Sequence, residues 1–200
     1  MNTCIQFSED GKKLISYIDP HQWDMTYFTY RPQNQEQNKW RDFIITSYYQ
    51  VPSGIEEIGP KAFEHREWLK EIKLPPSVIK IGEGAFGSCN KLEKINLPFS
   101  IKEIGAGAFD GCFNLDNISL PLDLEKITEH LFSCCFSLKN IELPKKIKEI
   151  EDFAFIGCKS IEEINLPASI EKIGNEIFRD CTSLKRIKIP VGTKISLKSY

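Results

Sequence analysis

The stretch Leu92–Pro98, L-E-K-I-N-L-P, decides the fold because variants of it recur along the chain at a fixed interval. Its proline has a counterpart every 23 residues, at Pro52, Pro75, Pro121, Pro144, Pro167 and Pro190. A constant period of about 20–50 residues is typical of a solenoid, in which each repeat forms one coil that packs against its neighbours. The sequence therefore predicts a continuous stack of coils over residues 51–200, with six coils and a terminal strand.

Each coil follows the pattern L-P-x-x-I-x-x-I-G-x-x-A-F-x-x-C-x-x-L-x-x-I-x. Residues alternate in the I-x-L part, so Ile95 and Leu97 are predicted to point inward and Asn96 outward, as in a β-strand. Pro98 ends this inner strand because proline has no N–H to donate. The I-K-E-I-G part predicts a second short extended segment. The A-F-x-x-C part predicts a short helical or 3-10 turn that places Phe and Cys in the core.

The cysteines keep the period of the coil instead of forming a disulfide framework. Five of the seven lie 23 residues apart, at Cys89, Cys112, Cys135, Cys158 and Cys181. Small secreted domains show irregular cysteine spacings, and zinc sites use paired C-x-x-C motifs. Neither pattern occurs, so we expect buried free thiols and no metal site.

Residues 1–50 do not repeat and are interpreted as an N-terminal β-hairpin cap. Asp10-Gly11 lies between two apolar runs within residues 4–18, which is a hairpin signal. A strand is predicted over residues 41–50, where Tyr49 precedes Ile72 by one repeat. Residues 19–40 form an inserted loop rich in aromatic residues, which either helps to close the open end of the first coil or forms a binding site.

Bulk composition and motifs exclude several classes of function. The net charge of −2 argues against a general nucleic-acid binder or a binder of anionic membranes, and no apolar run is long enough for membrane insertion. The start has no basic region followed by an apolar run, so we expect a cytosolic protein or one whose leader has been removed. No phosphate-binding loop occurs and the three histidines lie in unrelated contexts, which predicts no cofactor and no enzyme activity.

The repeat motif resembles the BspA-like class of leucine-rich repeats over residues 51–190, and F-S-E-D-G-K-K-L-I resembles an N-terminal unit of such proteins. The resemblance implies an α/β solenoid, coiled right-handed, with a parallel β-sheet on its inner face. It also implies a role in protein interaction. Many relatives are bacterial or protozoan cell-surface proteins and adhesins.

Specificity must lie in the positions that vary from coil to coil. The I-x-x-I segments alternate in charge from Glu57 to Lys172, which is typical of a solvated face that fixes register. The outward positions of the inner strands lack this alternation. Those of the central coils are predicted to form a recognition surface, comprising Lys94, Asn96, Asn117, Ser119, Asn140 and Glu142. Ordinary solvated strand residues are the alternative.

Apolar residues flank these strands at both ends in the central coils. Phe113 and Phe136 follow the repeated cysteine, whereas Phe99 and Leu122 follow the repeated proline. If exposed, they frame a patch with the composition of an interface core, and packing against the local turn is the alternative.

The sequence thus favours a monomeric, non-catalytic protein–protein interaction scaffold with a protein partner of unknown identity. One alternative is a cell-surface adhesin module that binds a host or matrix protein. Another is a binder of small ligands or carbohydrate that uses the aromatic loop.

Overall fold

The computed structural model describes residues 5–17, 47–193 and 196–197, and strands of three and two residues alternate along the repeats. The strands are β1 Ile5–Phe7, β2 Lys13–Tyr17, β3 Tyr48–Gln50, β4 Glu57–Ile58, β5 Glu71–Lys73, β6 Lys80–Ile81, β7 Lys94–Asn96, β8 Glu103–Ile104, β9 Asn117–Ser119, β10 Lys126–Ile127, β11 Asn140–Glu142, β12 Glu149–Ile150, β13 Glu163–Asn165, β14 Lys172–Ile173, β15 Arg186–Lys188 and β16 Ser196–Leu197.

The strands stack in parallel, with each residue beside its counterpart one repeat away. Ile72 lies beside Ile95 in the three-residue strands, and Glu57 lies beside Lys80 in the two-residue strands. The three-residue strands form the sheets β3-β5-β7, β9-β11 and β13-β15. The two-residue strands form β10-β12-β14-β16 and, together with the hairpin strands, β1-β2-β4-β6-β8. The predicted solenoid is therefore confirmed.

The N-terminal hairpin extends the two-residue sheet. β1 and β2 are antiparallel, and Gly11 in their turn has a φ of 71°, which a side chain would strain. β2 then pairs in parallel with β4 and places Leu14 in the core. Tyr49 lies beside Ile72 as predicted. The aromatic loop 19–40 and most of the strand predicted at 41–50 lie outside the described residues.

The A-F-x-x-C segment contains no helix in the part of the chain described, so the predicted helical or 3-10 turn is wrong. In the second coil, the N–H groups of Gly84, Phe86 and Ser88 donate to carbonyls of the next coil at 2.9, 2.9 and 2.6 Å. Only the intervening N–H groups bond within their own turn. Two left-handed residues per coil enforce this alternation, because a helix cannot continue through them. They are Lys61, Gly84, Gly107, His130, Phe153 and Glu176, followed four residues later by His65, Ser88, Gly111, Cys134, Gly157 and Asp180.

The core is a set of ladders that run along the solenoid. Consecutive core phenylalanines, such as Phe86 and Phe109, stack at ring-centroid distances of 5.3–5.7 Å. Cys112 lies beside this row, and its thiol donates to the carbonyl of Phe86 at 3.2 Å. The other repeated cysteines make the same bond at 3.0–3.2 Å. All five are free, as predicted, and each satisfies a buried carbonyl of the preceding coil.

One boundary between coils differs from the others and is called the joint. It separates the coil of β7 and β8 from the coil of β9 and β10, and both sheets are interrupted there. Elsewhere the residue after the two-residue strand donates its N–H to the preceding coil, as Gly105 does to Ile81 at 2.8 Å. At the joint the Thr128 hydroxyl contacts the carbonyl of Ile104 instead, at 3.1 Å. The turn segments remain bonded across the joint, for example from Phe109 N–H to Leu131 at 3.1 Å.

Candidate interaction surface

The outward residues of the three-residue strands form what we call the long-strand face. Its central members all have exposed side chains, as the alternation of the strands requires. They are Lys94, Asn96, Asn117, Ser119, Asn140 and Glu142. Register aligns them into rows, so Asn117 lies beside Asn140 and Ser119 lies beside Glu142. The structure thus places the predicted polar surface on one continuous side of the coils.

Phe113 and Phe136, at one end of these strands, stack on each other. Their ring centroids are 4.7 Å apart, and the rings are inclined by only 12°. Phe113 is 37% exposed and Phe136 is half-buried. The Nζ atom of Lys159 lies 4.3 Å from the centroid of Phe136, within cation–π range. The facing sides of the rings are therefore used within the molecule, which leaves mainly ring edges for a partner.

Phe99 and Leu122, at the other end of the strands, are more exposed. Phe99 is 78% exposed and Leu122 is 67% exposed, and they occupy the same repeat position in consecutive coils. The residues at this position in five consecutive coils, which we call the rim, are all exposed and are Pro76, Phe99, Leu122, Lys145 and Ala168. Ser53 and Val191, also exposed, occupy the same position in the coils at the two ends. Three apolar side chains therefore precede a lysine along the axis of the solenoid.

Local hydrogen bonds join the residues that flank the rim positions. The N–H groups of Ile101 and Leu124 donate to the carbonyls of Pro98 and Pro121, both at 3.2 Å. The Ser100 hydroxyl donates to the carbonyl of Val78 in the preceding coil at 2.6 Å. These bonds hold the turn on which the exposed rim side chains are presented.

The two-residue strands present a second surface, on which charges pair between coils. The Lys80–Glu103 pair is 3.0 Å apart and the Lys126–Glu149 pair is 3.7 Å apart, in line with the alternation in sequence. A groove of about 970 Å³ runs over this surface near the joint. Because its charges are largely paired with one another, its volume alone does not make it a better site than the rim.

Charge pairing also perturbs several exposed groups. Hydrogen bonding to Glu103 raises the pKa of Lys80, and hydrogen bonding to Lys148 lowers the pKa of Glu125. At the last described coil, Lys188 and Arg186 both bond Glu163, which lowers the pKa of that carboxyl. Such groups stay charged at neutral pH, which suits them to fixing register.

The buried thiols are poorly suited to nucleophilic chemistry. Burial raises the pKa of Cys89 to about 12 and raises the pKa of Cys112 and Cys135 well above the ordinary value of 9.0. A nucleophile must form a thiolate, which burial disfavours. Over the described ranges, no group of three or more His, Cys, Asp or Glu side chains has the arrangement of a metal site. The same ranges contain no helix with the length and hydrophobicity of a membrane span.

The structure places the four apolar residues at the two strand ends at which the sequence predicts them. It brings Phe113 and Phe136 into contact, and it places Phe99 and Leu122 at the opposite strand end. The stacking was not predicted. The period does indicate it, because Phe113, Phe136 and Lys159 occupy one repeat position. Ile79, which is 45% exposed, was also not identified from the sequence.

The chain forms a parallel β-solenoid in which each coil contributes one residue to every ladder. This architecture defines the chain as a repeat protein. The family model for the BspA type leucine-rich repeat region, in six copies, matches residues 43–150 and 102–200. The chain therefore belongs to the BspA type leucine-rich repeat family. A sequence search among curated proteins finds no match.

Solved bacterial leucine-rich repeat proteins share this architecture. A leucine-rich repeat protein from T. pallidum is 27% identical with a TM-score of 0.76, and the match covers 96% of this chain and 81% of that protein. A leucine-rich repeat protein from Bacteroides ovatus is 26% identical with a TM-score of 0.58, over 93% of this chain and 51% of that one. A leucine-rich cell surface protein from Faecalibacterium prausnitzii is 22% identical with a TM-score of 0.61, over 92% and 52%. This chain spans about half the length of the latter two.

Proposed function

We propose that the chain is a non-catalytic protein-interaction scaffold that binds a protein through its long-strand face and the adjoining rim. The observation that carries this proposal is the exposure of Phe99 and Leu122 side by side, at 78% and 67%. Adjacent exposed apolar side chains bordered by polar residues have the composition of an interface core. Phe113 and Phe136 contribute less, because their facing sides are already in contact with each other.

The test is a comparative pull-down from extracts and surface fractions of the source organism. The bait proteins are the wild type, the double variant Phe99→Ser/Leu122→Ser and the double variant Phe113→Ser/Phe136→Ser. Ile189→Ser is a matched control, since Ile189 is 50% exposed but lies outside the rim. We expect the rim variant to lose the wild-type partner and the control to keep it. A partner retained equally by all four proteins would contradict the proposal.

A second candidate is an adhesin module at the cell surface. It is favoured by the similarity in fold to the cell surface protein from Faecalibacterium prausnitzii. Antibody labelling of intact cells distinguishes the two candidates, because an adhesin must be accessible from outside. Labelling only after permeabilisation would exclude the adhesin and leave the scaffold in place.

A further inference from the structure

We propose that the rim binds an amphipathic α-helix that lies along the axis of the solenoid. Its apolar side chains would contact Pro76, Phe99 and Leu122, and an acidic residue would pair with Lys145. The proposal rests on the proposed scaffold function and names the chemistry of the partner.

The spacing of the rim selects a helix over other peptide conformations. Ring centroids in consecutive coils are 5.3–5.7 Å apart in the core row and 4.7 Å apart for Phe113 and Phe136, which brackets the advance per coil. One turn of an α-helix advances about 5.4 Å, so side chains at i, i+4 and i+7 follow three consecutive coils. Side chains on one face of a strand repeat about every 6.6 Å, and a polyproline turn advances about 9 Å. Both of these conformations lose register with the rim after one or two coils.

Hydrogen bonding supports the same choice. The carbonyls of Pro98 and Pro121 already accept bonds from Ile101 and Leu124 within their own turns. These two carbonyls are therefore not free for a docked strand, whereas a helix satisfies its own backbone and docks through side chains.

The charge of Lys145 determines the fourth contact of the proposed helix. Lys145 follows Leu122 in the rim, is exposed, and forms no ion pair with any residue that the structure describes. Eleven helical residues rise about 16 Å and return to the same face, which corresponds to three coil steps. The partner helix therefore carries Asp or Glu at i+11 when its first apolar contact, at i, is with Pro76.

The experiment selects binders from two displayed peptide libraries, one on a rigid helical scaffold and one of linear peptides. Purified wild-type chain is the target. We expect the helical library to yield binders with apolar residues at i, i+4 and i+7 and an acidic residue at i+11. The affinity of those binders, measured by biolayer interferometry, should fall about 30-fold or more on Phe99→Ser/Leu122→Ser, as for interface hot spots. It should be unchanged on Ile189→Ser.

Charge reversal provides a further check on register. Lys145→Glu should weaken the selected binders, and changing their acidic residue to Lys should restore binding to that variant. Because these side chains are exposed, circular dichroism and thermal unfolding of the variants should match the wild type, so that lost binding reports on the surface.

Three results would overturn the helix proposal. The first is enrichment of extended or proline-rich sequences, or no enrichment from the helical library. The second is binding to phosphatidylcholine–phosphatidylserine vesicles that Phe99→Ser/Leu122→Ser abolishes, which assigns the rim to lipid. The third is self-association in sedimentation velocity that the same variant removes. If the rim variant still loses its protein partner in the pull-down, the scaffold function stands and only the helix is excluded.

Discussion

The interior row of phenylalanines and the rim both repeat every 23 residues, but the interior row is buried and the rim is exposed. The interior row has the same residue in every coil from Phe63 to Phe178, and Phe109 in its centre is fully buried. The rim changes from Pro76 to Phe99 to Leu122 to Lys145, and its side chains are exposed. Identity between coils therefore marks packing, because each ring must fit the one before it. Variation between coils marks positions where the stack imposes no requirement.

The largest expected contrast between the two rows is in stability. Phe109→Ala removes a buried ring stacked at 5.5 and 5.7 Å between two others, and we expect the free energy of unfolding to fall by about 3–5 kcal/mol. Phe99→Ala removes a ring that is 78% exposed and should change stability by less than about 0.5 kcal/mol. Urea denaturation followed by circular dichroism measures both. Similar midpoints for the two variants would contradict the division into packing and surface rows.

The thiols next to the interior row should be protected from reaction. The raised pKa of Cys89, about 12 against an ordinary 9.0, reduces its thiolate at pH 8 about a thousandfold, and burial limits access further. Iodoacetamide labelling with mass mapping should modify the half-buried Cys134 before the buried cysteines of the ladder. Cys89, Cys112, Cys135 and Cys158 should react only after unfolding. Equal labelling rates at Cys89 and Cys134 in the native protein would show that the reagent reaches the buried cysteines, which would contradict this prediction.

The effect of substituting Phe113 and Phe136 on stability should lie between the effects expected for the interior row and for the rim. They contact each other at 4.7 Å and remain partly exposed, so a double-mutant cycle to alanine should give a coupling of about 0.5–1.5 kcal/mol. Phe99 and Phe113, which occupy different repeat positions, provide the matched control pair and should show additive effects. Coupling within error of zero for Phe113 and Phe136 would mean that the stack does not persist in solution.

The smallest expected effect concerns the ion pairs of the surface. Lys188 and Arg186 lower the pKa of Glu163, so its carboxylate stabilises the folded chain above its ordinary value of 4.5 and loses this contribution as the pH falls below that value. Glu163→Gln should therefore reduce the stability slightly at pH 7, and the difference from wild type should shrink under acidic conditions. Glu142→Gln is the control, since Glu142 forms no ion pair among the described residues. A difference that grows on acidification would contradict this assignment.

The sequence predicted those features that depend on repetition. Residues 23 apart lie beside each other, as in the pairing of Ile72 with Ile95, and this follows from the period alone. The turn conformation was missed because its left-handed positions hold Lys61, His130 and Phe153 as well as glycine. Because glycine occupies only some of these positions, the sequence pattern does not reveal that the same backbone conformation repeats in every coil.

The candidate site was only partly predictable, for a similar reason. The place of Phe99 after the strand-ending proline could be read from the sequence, but its exposure stayed open against packing on the local turn until the structure gave it as 78%. The degree to which Phe113 and Phe136 satisfy each other depends on side-chain contacts that the period suggests but does not determine. The joint rests on the absence of main-chain hydrogen bonds around Thr128, and a single threonine in the glycine position gives little warning of it.

The joint also has a mechanical consequence. Two of the three rows of hydrogen bonds between coils are interrupted there, while the row along the turns continues from Phe109 to Leu131. An elastic rod that is weakened on two sides bends most easily at that point, with the intact side as its axis. Phe99 and Leu122 lie on either side of this point, so bending changes the distance between them. A ligand that binds both side chains would bridge the joint and would raise the resistance of the solenoid to bending at that point.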